Sequence, residues 1–207
     1  MKEKAKLSIG AVIVAAGLSS RMKAFKPLKL LAGKPMIQYS IDTMREAGVT
    51  QIIVVTGYQA EKLEAYLKPQ GIKCIYNPYY QGTDMFDSAK LGLKAIANQC
   101  ERVFFTPGDI PLFNVETLRT LMAYKALVAK PVYQQQGGHP IIIDCSLVPK
   151  ICTYDGNQGL KGALINCQES IVRVEVSDLG ILMDADTKEA FKEIEEAASS
   201  RILQDIE

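Results

Sequence analysis

The chain has 207 residues, a formal net charge of +1 and 48% hydrophobic residues. That suits one domain with at most a small subdomain, and it argues against an extended nucleic-acid surface. No apolar run approaches the roughly 18 residues of a membrane-spanning helix, so no membrane partner is expected. The five cysteines (Cys74, Cys100, Cys145, Cys152 and Cys167) form no C-x-x-C pair. Their odd number and the lack of a signal peptide point to a reducing cytoplasm and to plain core or surface roles.

In chain order, Val12-Ile13-Val14 is a β-branched run of the kind that forms a buried central strand. Ala15-Ala16-Gly17 follows without a bulky side chain, and then come Arg21, Lys23, Lys26 and Lys29. Residues 1–34 carry eight Lys or Arg against one acid, Glu3. A strand that opens into a small-residue turn and a basic loop brings backbone N–H groups and cations against a phosphate chain. Gly33-Lys34-Pro35 predicts a turn with Pro35 in the first turn of a helix, its apolar face at Met36, Ile37, Ile41 and Met44, ending at Gly48. A strand is expected at Gln51–Thr56, a helix at Glu61–Leu67 and a strand at Ile72–Tyr76. This alternation implies right-handed crossovers and a parallel sheet.

After the turn-rich Asn77–Gly82, residues 83–97 read as a helix with Phe86, Ala89, Leu93 and Ile96 inward. Arg102–Thr106 is a fourth strand running into Pro107-Gly108-Asp109-Ile110-Pro111, and Asn114 suits the cap of the next helix. The pattern then changes. Lys130–Gln135 and Pro140–Ile143, separated by Gly137-Gly138, suggest antiparallel strands. Short helices are expected near Ser146–Ile151 and Gly159–Asn166, a strand at Ile171–Val176, and a last helix capped by Asp186 or Thr187. The expected class is α/β: three α/β/α layers on a mostly parallel sheet, with a nucleotide half at about 9–125 and an irregular β-containing acceptor half at about 126–207.

The turn at Gly17 is neither a P-loop nor a dinucleotide fingerprint, since the required glycine spacings are missing. Asp109 lies just past the carboxyl end of a buried strand, the edge at which open α/β sheets bind ligands. A carboxylate there beside a basic loop suits Mg²⁺, which takes one or two carboxylates and fills its shell with phosphates and water. A turn aspartate bonding its own backbone is the plainer alternative. Asp184 and Asp186 offer further carboxylates, and either is also a good helix cap. The single histidine, His139, sits in a shaped turn between Gly138 and Pro140.

Taken together, Ala15-Ala16-Gly17-Leu18-Ser19-Ser20-Arg21-Met22, Lys26-Pro27-Leu28, Gln81-Gly82, Gly108-Asp109-Ile110-Pro111, Gly138-His139-Pro140 and Asp184–Thr187 resemble one family over roughly residues 9–195. It is that of the molybdenum cofactor cytidylyltransferases and their guanylyltransferase relatives. The resemblance implies a glycosyltransferase-A-like fold and transfer of a nucleotidyl group from an NTP to a phosphorylated acceptor, with loss of pyrophosphate. It implies nucleotide contacts from Ala15, Ala16, Gly17, Leu18, Ser19, Gln81 and Gly82, with Arg21 and Lys26 on the triphosphate. Asp109, with Asp184 or Asp186, would hold Mg²⁺, and Gly138, His139 and Lys161 would face the acceptor. Ala16 in place of glycine favours CTP over GTP, with molybdopterin as acceptor and hand-over to a molybdenum enzyme. The chain departs from the pattern in three ways: Lys23 stands where glycine is common, Asp84 and Asp87 add carboxylates, and Lys161 replaces an arginine. The same front half also suits a sugar phosphate, a phosphorylated polyol or choline as acceptor, and a nucleotide-binding protein without turnover.

Overall fold

The computed structural model describes residues 8–18, 25–169 and 171–204. At its centre is β1 (Ile9–Ala15), buried from Gly10 onward. It lies between two parallel neighbours, β4 (Gln51–Thr56) and β6 (Arg102–Pro107). Between β1 and β4 come a 3₁₀ turn at Lys26–Leu28, a short hairpin of β2 (Leu30–Leu31) and β3 (Lys34–Pro35), and α1 (Met36–Glu46). Pro35 is not in the helix. Its extended ψ of 135° and its pairing with Leu30 make it the last residue before α1.

Helix α2 (Ala60–Leu67) leads to the edge strand β5 (Lys73–Tyr76), and α3 (Met85–Ile96) leads to β6. Helix α4 (Val115–Ala123) follows, then β7 (Val128–Tyr133), β8 (Gln136–Gly137) and β9 (Ile141–Asp144). Helices α5 (Val148–Thr153) and α6 (Gly159–Asn166), strand β10 (Ile171–Glu175) and α7 (Lys188–Gln204) complete the order. The sheet runs β10-β7-β9-β6-β1-β4-β5, with β8 paired to β7. Strand β9 is antiparallel to both β6 and β7, while the other neighbours along that order are parallel. This is the expected mostly parallel α/β sheet, with one reversed strand inserted where the sequence pattern became irregular.

The period of two along β1 sorts its side chains between two layers. Val12 and Val14 pack with Phe86, Leu93 and Ile96 of α3, Ile151 of α5 and Leu164 of α6. Ala11, Ile13 and Ala15 pack on the other face with Ile37 and Ile41 of α1, Leu63 of α2 and Leu118 of α4. Each such buried aliphatic or aromatic side chain contributes about 1.5–3 kcal/mol of transfer free energy. Helix α3 approaches β1 closely because Gly92 lacks a Cβ. One built there would lie 2.5 Å from Val12 Cγ1 and 2.9 Å from Val55 Cγ2.

A third cluster ties α7 to the front of the sheet. Leu31 and Met36 meet Leu112, Ala185, Phe191 and Ile194. Buried Asp178 fixes the chain leading there. Its carboxylate accepts from Asn114 N at 2.8 Å, Thr117 Oγ1 at 2.7 Å and Gly180 N at 3.0 Å. All five cysteines are free thiols, and no helix among the described residues is long and apolar enough to cross a membrane.

Candidate active site

The carboxyl ends of β1 and β6 lie side by side, with Val14 opposite Pro107. Gly108 N donates to Val14 O at 2.8 Å, and a Cβ at 108 would stand 3.1 Å from that same oxygen. Glycine therefore lets the chain leave β6 along the end of β1, and the next residue is Asp109. Ala16 O accepts from Tyr58 N at 3.2 Å, so the Ala15–Gly17 turn is held from the β4 side as well.

Three charged groups converge in front of these strand ends. Lys26, only 8% exposed, places Nζ 3.3 Å from Asp109 Oδ2 and 2.8 Å from Asp186 Oδ1. Asp186 is delivered by its neighbour. Ala185 is fully buried in the α7 cluster, and its N–H donates to Asp109 O at 2.9 Å. Asp184 is exposed, and its carboxylate turns back on the chain to accept from Asp186 N at 3.2 Å. Of the two expected carboxylates, then, Asp186 joins Asp109 and Asp184 does not. The cap of α7 comes from Thr187 Oγ1, which accepts from Ala190 N.

Burial raises the Asp109 carboxyl above its ordinary range. Lys26 opposes that rise through charge and hydrogen bond, and Asp186 adds to it. Two carboxylates that already share one cation within 3.3 Å are a fit donor set for a divalent metal whose remaining ligands are phosphate and water.

Beside this trio lies a cleft of about 300 Å³. Val14–Gly17 and Pro107–Asp109 form one side, and Tyr80, Thr83, Met85 and Ser88 form the other. The opposite side is shaped by buried Asn77, whose Nδ2 donates to Ser88 Oγ at 2.9 Å and Thr83 Oγ1 at 3.2 Å. Its Oδ1 accepts from Tyr79 N at 2.9 Å. This folding directs Tyr80 and Thr83 to the cleft and leaves the expected contacts, Gln81 and Gly82, exposed. Leu18 is 44% exposed beyond the lining. Ser19, Arg21 and Lys23 lie outside the described residues. The two extra carboxylates are engaged: Asp84 caps α3 by accepting from Phe86 N and Asp87 N, and Asp87 pairs with Lys90 at 2.8 Å.

A second cavity, of about 340 Å³, adjoins the first and shares Asp84 and Met85 with it. Its walls are mainly apolar, with Phe86, Phe105, Ile141, Leu164 and Ile171 prominent, and its polar groups include His139, Lys161 and Lys130. The His139 ring meets the Phe105 ring edge-on at 5.9 Å, and its buried Nδ1 has no hydrogen-bond partner among the described residues. Burial pulls its pKa down to about 4, with Phe105 backbone opposing and Lys130 assisting. The ring is therefore neutral near pH 7, suited to hydrogen bonding a ligand rather than to carrying charge.

Gly138 does not reach this cavity. A Cβ there would stand 2.7 Å from Ile181 Cγ1, so its part is to let the turn close on Ile181, whose carbonyl accepts from His139 N at 3.0 Å. Tyr80, Thr83, Ser88 and Lys130 were not singled out from sequence. For Lys130 a signal exists: it is a lone charge in the apolar strand Val128–Tyr133.

Residues 11–171 match the MobA-like NTP transferase domain. The chain is 29% identical over 187 residues to the molybdenum cofactor cytidylyltransferase of Escherichia coli strain K12, covering 89% of this chain and 94% of that protein. It superimposes on a nucleotidyl transferase from Methanothermobacter thermautotroptrophicus with a TM-score of 0.82 at 21% identity, covering 94% and 99% of the two chains. A Mycobacterium tuberculosis H37Rv protein solved in complex with manganese matches with a TM-score of 0.74 at 18% identity, over 91% of this chain and 98% of that one.

Proposed function

The chain belongs to the family of MobA-like NTP transferase domains, and on that premise we propose that it transfers a cytidylyl group from CTP to the phosphate of molybdopterin in the cytoplasm, with Mg²⁺ at Asp109 and Asp186. The observation that carries this reading is the Lys26 ammonium held between those two carboxylates at the mouth of the cleft.

An acceptor phosphate oxygen forms a new bond to the α-phosphorus. The bond from that phosphorus to the α–β bridging oxygen breaks, and its electron pair leaves with pyrophosphate. The acceptor is already an anion, so little base catalysis is needed. What is needed is the approach of two anions, their alignment, and neutralisation of charge on the leaving group. Mg²⁺, when bound by Asp109 and Asp186, supplies that neutralisation and a template for the phosphates. Lys26, displaced from between the two carboxylates when the metal binds, supplies an ammonium on the same side. The family resemblance adds Arg21 and the Ala15–Gly17 backbone. Neutral His139 faces the acceptor cavity, and the aromatic and aliphatic walls there suit a flat heterocycle better than a hydroxyl-rich sugar or polyol. The cytidylyltransferase relative supports CTP over GTP, and the product would pass to a molybdenum enzyme.

The test is pyrophosphate release by the purified protein with Mg²⁺, molybdopterin and each NTP. Turnover should be highest with CTP. Asp109→Asn should lower kcat/KM by at least about a hundredfold, the scale on which one preorganised charge acts. Turnover on a sugar or polyol phosphate instead would reassign the acceptor. CTP binding without turnover on any acceptor would mark a silent nucleotide-binding protein.

A further inference from the structure

Lys130 is a charged residue on a strand whose neighbours are apolar, and it lines the second cavity. Its stem lies over residue 137: a Cβ there would overlap Lys130 Cε and stand 2.8 Å from Nζ. The bare glycine in the adjoining strand β8 thus provides the space across which the lysine stem lies. On the other side, Arg173 of β10 is its register partner, and Lys161 of α6 lines the same cavity. Lys130 has no carboxylate partner among the described residues. Burial lowers its pKa, and the charges that act on it, Arg173 and then Lys161, are both positive and lower it further.

A half-buried ammonium beside two more cations, with no acid to offset it, costs stability in the empty protein. An anion entering the cavity reverses the sign of that cost. From this geometry we infer that Lys130, seated across Gly137 and backed by Lys161, binds a phosphomonoester carried on a flat apolar body, with the body against Phe86 and Phe105 and a donor group on His139 Nδ1. The inference rests on the reading of the second cavity as the acceptor side. It assigns the anion-binding lysine and the chemical class of ligand that cavity selects. The low-dielectric walls strengthen the ion pair, and the apolar walls reject phosphate without a body.

Calorimetric titration of the full chain with phenyl phosphate, inorganic phosphate and benzyl alcohol tests this without any turnover. Wild-type protein should bind phenyl phosphate more tightly than either fragment. Lys130→Met, which keeps the stem, should weaken phenyl phosphate binding at least about tenfold, as expected for loss of a charge-assisted contact. It should leave benzyl alcohol binding and CTP binding unchanged. Lys161→Met, at an exposed position, should weaken phenyl phosphate less. Gly137→Ala, which keeps every charge and only displaces the end of the lysine stem, should weaken it less than Lys130→Met does.

No binding of phenyl phosphate to wild type, equal affinity in Lys130→Met, or displacement of the probe by CTP would each overturn the inference. Failure here is separable from failure of the proposed reaction. Intact probe binding without pyrophosphate release counts against the reaction alone, and turnover with probe affinity indifferent to residue 130 counts against this site alone.

Discussion

Replacing Lys26 by methionine removes a cation held within 3.3 Å of both Asp109 and Asp186. At an effective dielectric of about 20, each contact is worth roughly 5 kcal/mol before desolvation. Most of that is returned as the cost of keeping the charges out of water. Breaking a fully buried pair costs about 3–5 kcal/mol. Here the Asp186 side chain is 44% exposed, so the net loss should be nearer 2–3 kcal/mol, or roughly 5–10 °C in Tm for a chain of this size. The variant then lacks the Lys26 ammonium between the two carboxylates. Millimolar Mg²⁺ should raise its Tm by more than it raises that of wild type, where the metal must first displace Lys26. Differential scanning calorimetry with and without Mg²⁺ measures both effects. A variant melting within a degree or two of wild type, or an equal Mg²⁺ shift in the two proteins, would refute the idea that Lys26 occupies the metal position.

Asp109→Asn should melt at or slightly above the wild-type temperature in metal-free buffer. Burial raises this carboxyl in the fold, so its ionisation subtracts stability as pH rises from the ordinary carboxylate value through the raised one, and stays subtracted at neutral pH. His139 is held neutral down to about pH 4 against an ordinary 6.5. The unfolded chain takes the proton first, so stability falls as pH drops between those values, by about 3 kcal/mol in all. Urea unfolding at pH 7.5 and pH 4.5 should show a smaller fall in His139→Gln. Gly92→Ala should destabilise by about 1–2 kcal/mol in the same assay. Its Cβ collides with Val12 and Val55, and the overpacking outweighs the helix propensity gained.

The sheet was readable because apolar runs such as Gln51–Thr56 and Arg102–Thr106 carry their own strand signal, and short links between them leave few topologies. The meeting of Lys26 with Asp109 was readable for the same reason. Two parallel strands that are neighbours put their carboxyl ends together, and both residues follow such ends. What lay beyond the sequence was decided by single bonds. Asp186 rather than Asp184 faces the site because Ala185 N reaches Asp109 O and its methyl is buried. Tyr80 and Thr83 rather than Gln81 and Gly82 line the cleft because the Asn77 side chain coils that loop. A periodicity of two or 3.6 carries no information about either.

The two cavities also differ in how they carry charge. At the first cleft the cation comes with carboxylates, and their ion pairs offset its burial before any ligand arrives. At the second cavity the charges that act on Lys130 among the described residues are both positive, and its stem lies across the open face of Gly137. A charge that the fold leaves without an internal counterpart raises the free energy of the empty site, and that cost is recovered only when an anion fills it. A lysine of this kind would therefore favour an anionic ligand twice, through attraction to the anion and through relief of the empty site. Removing it should weaken ligand binding while making the unliganded protein, if anything, more stable. A residue whose role was only to pack the strand would instead lose stability on the same substitution.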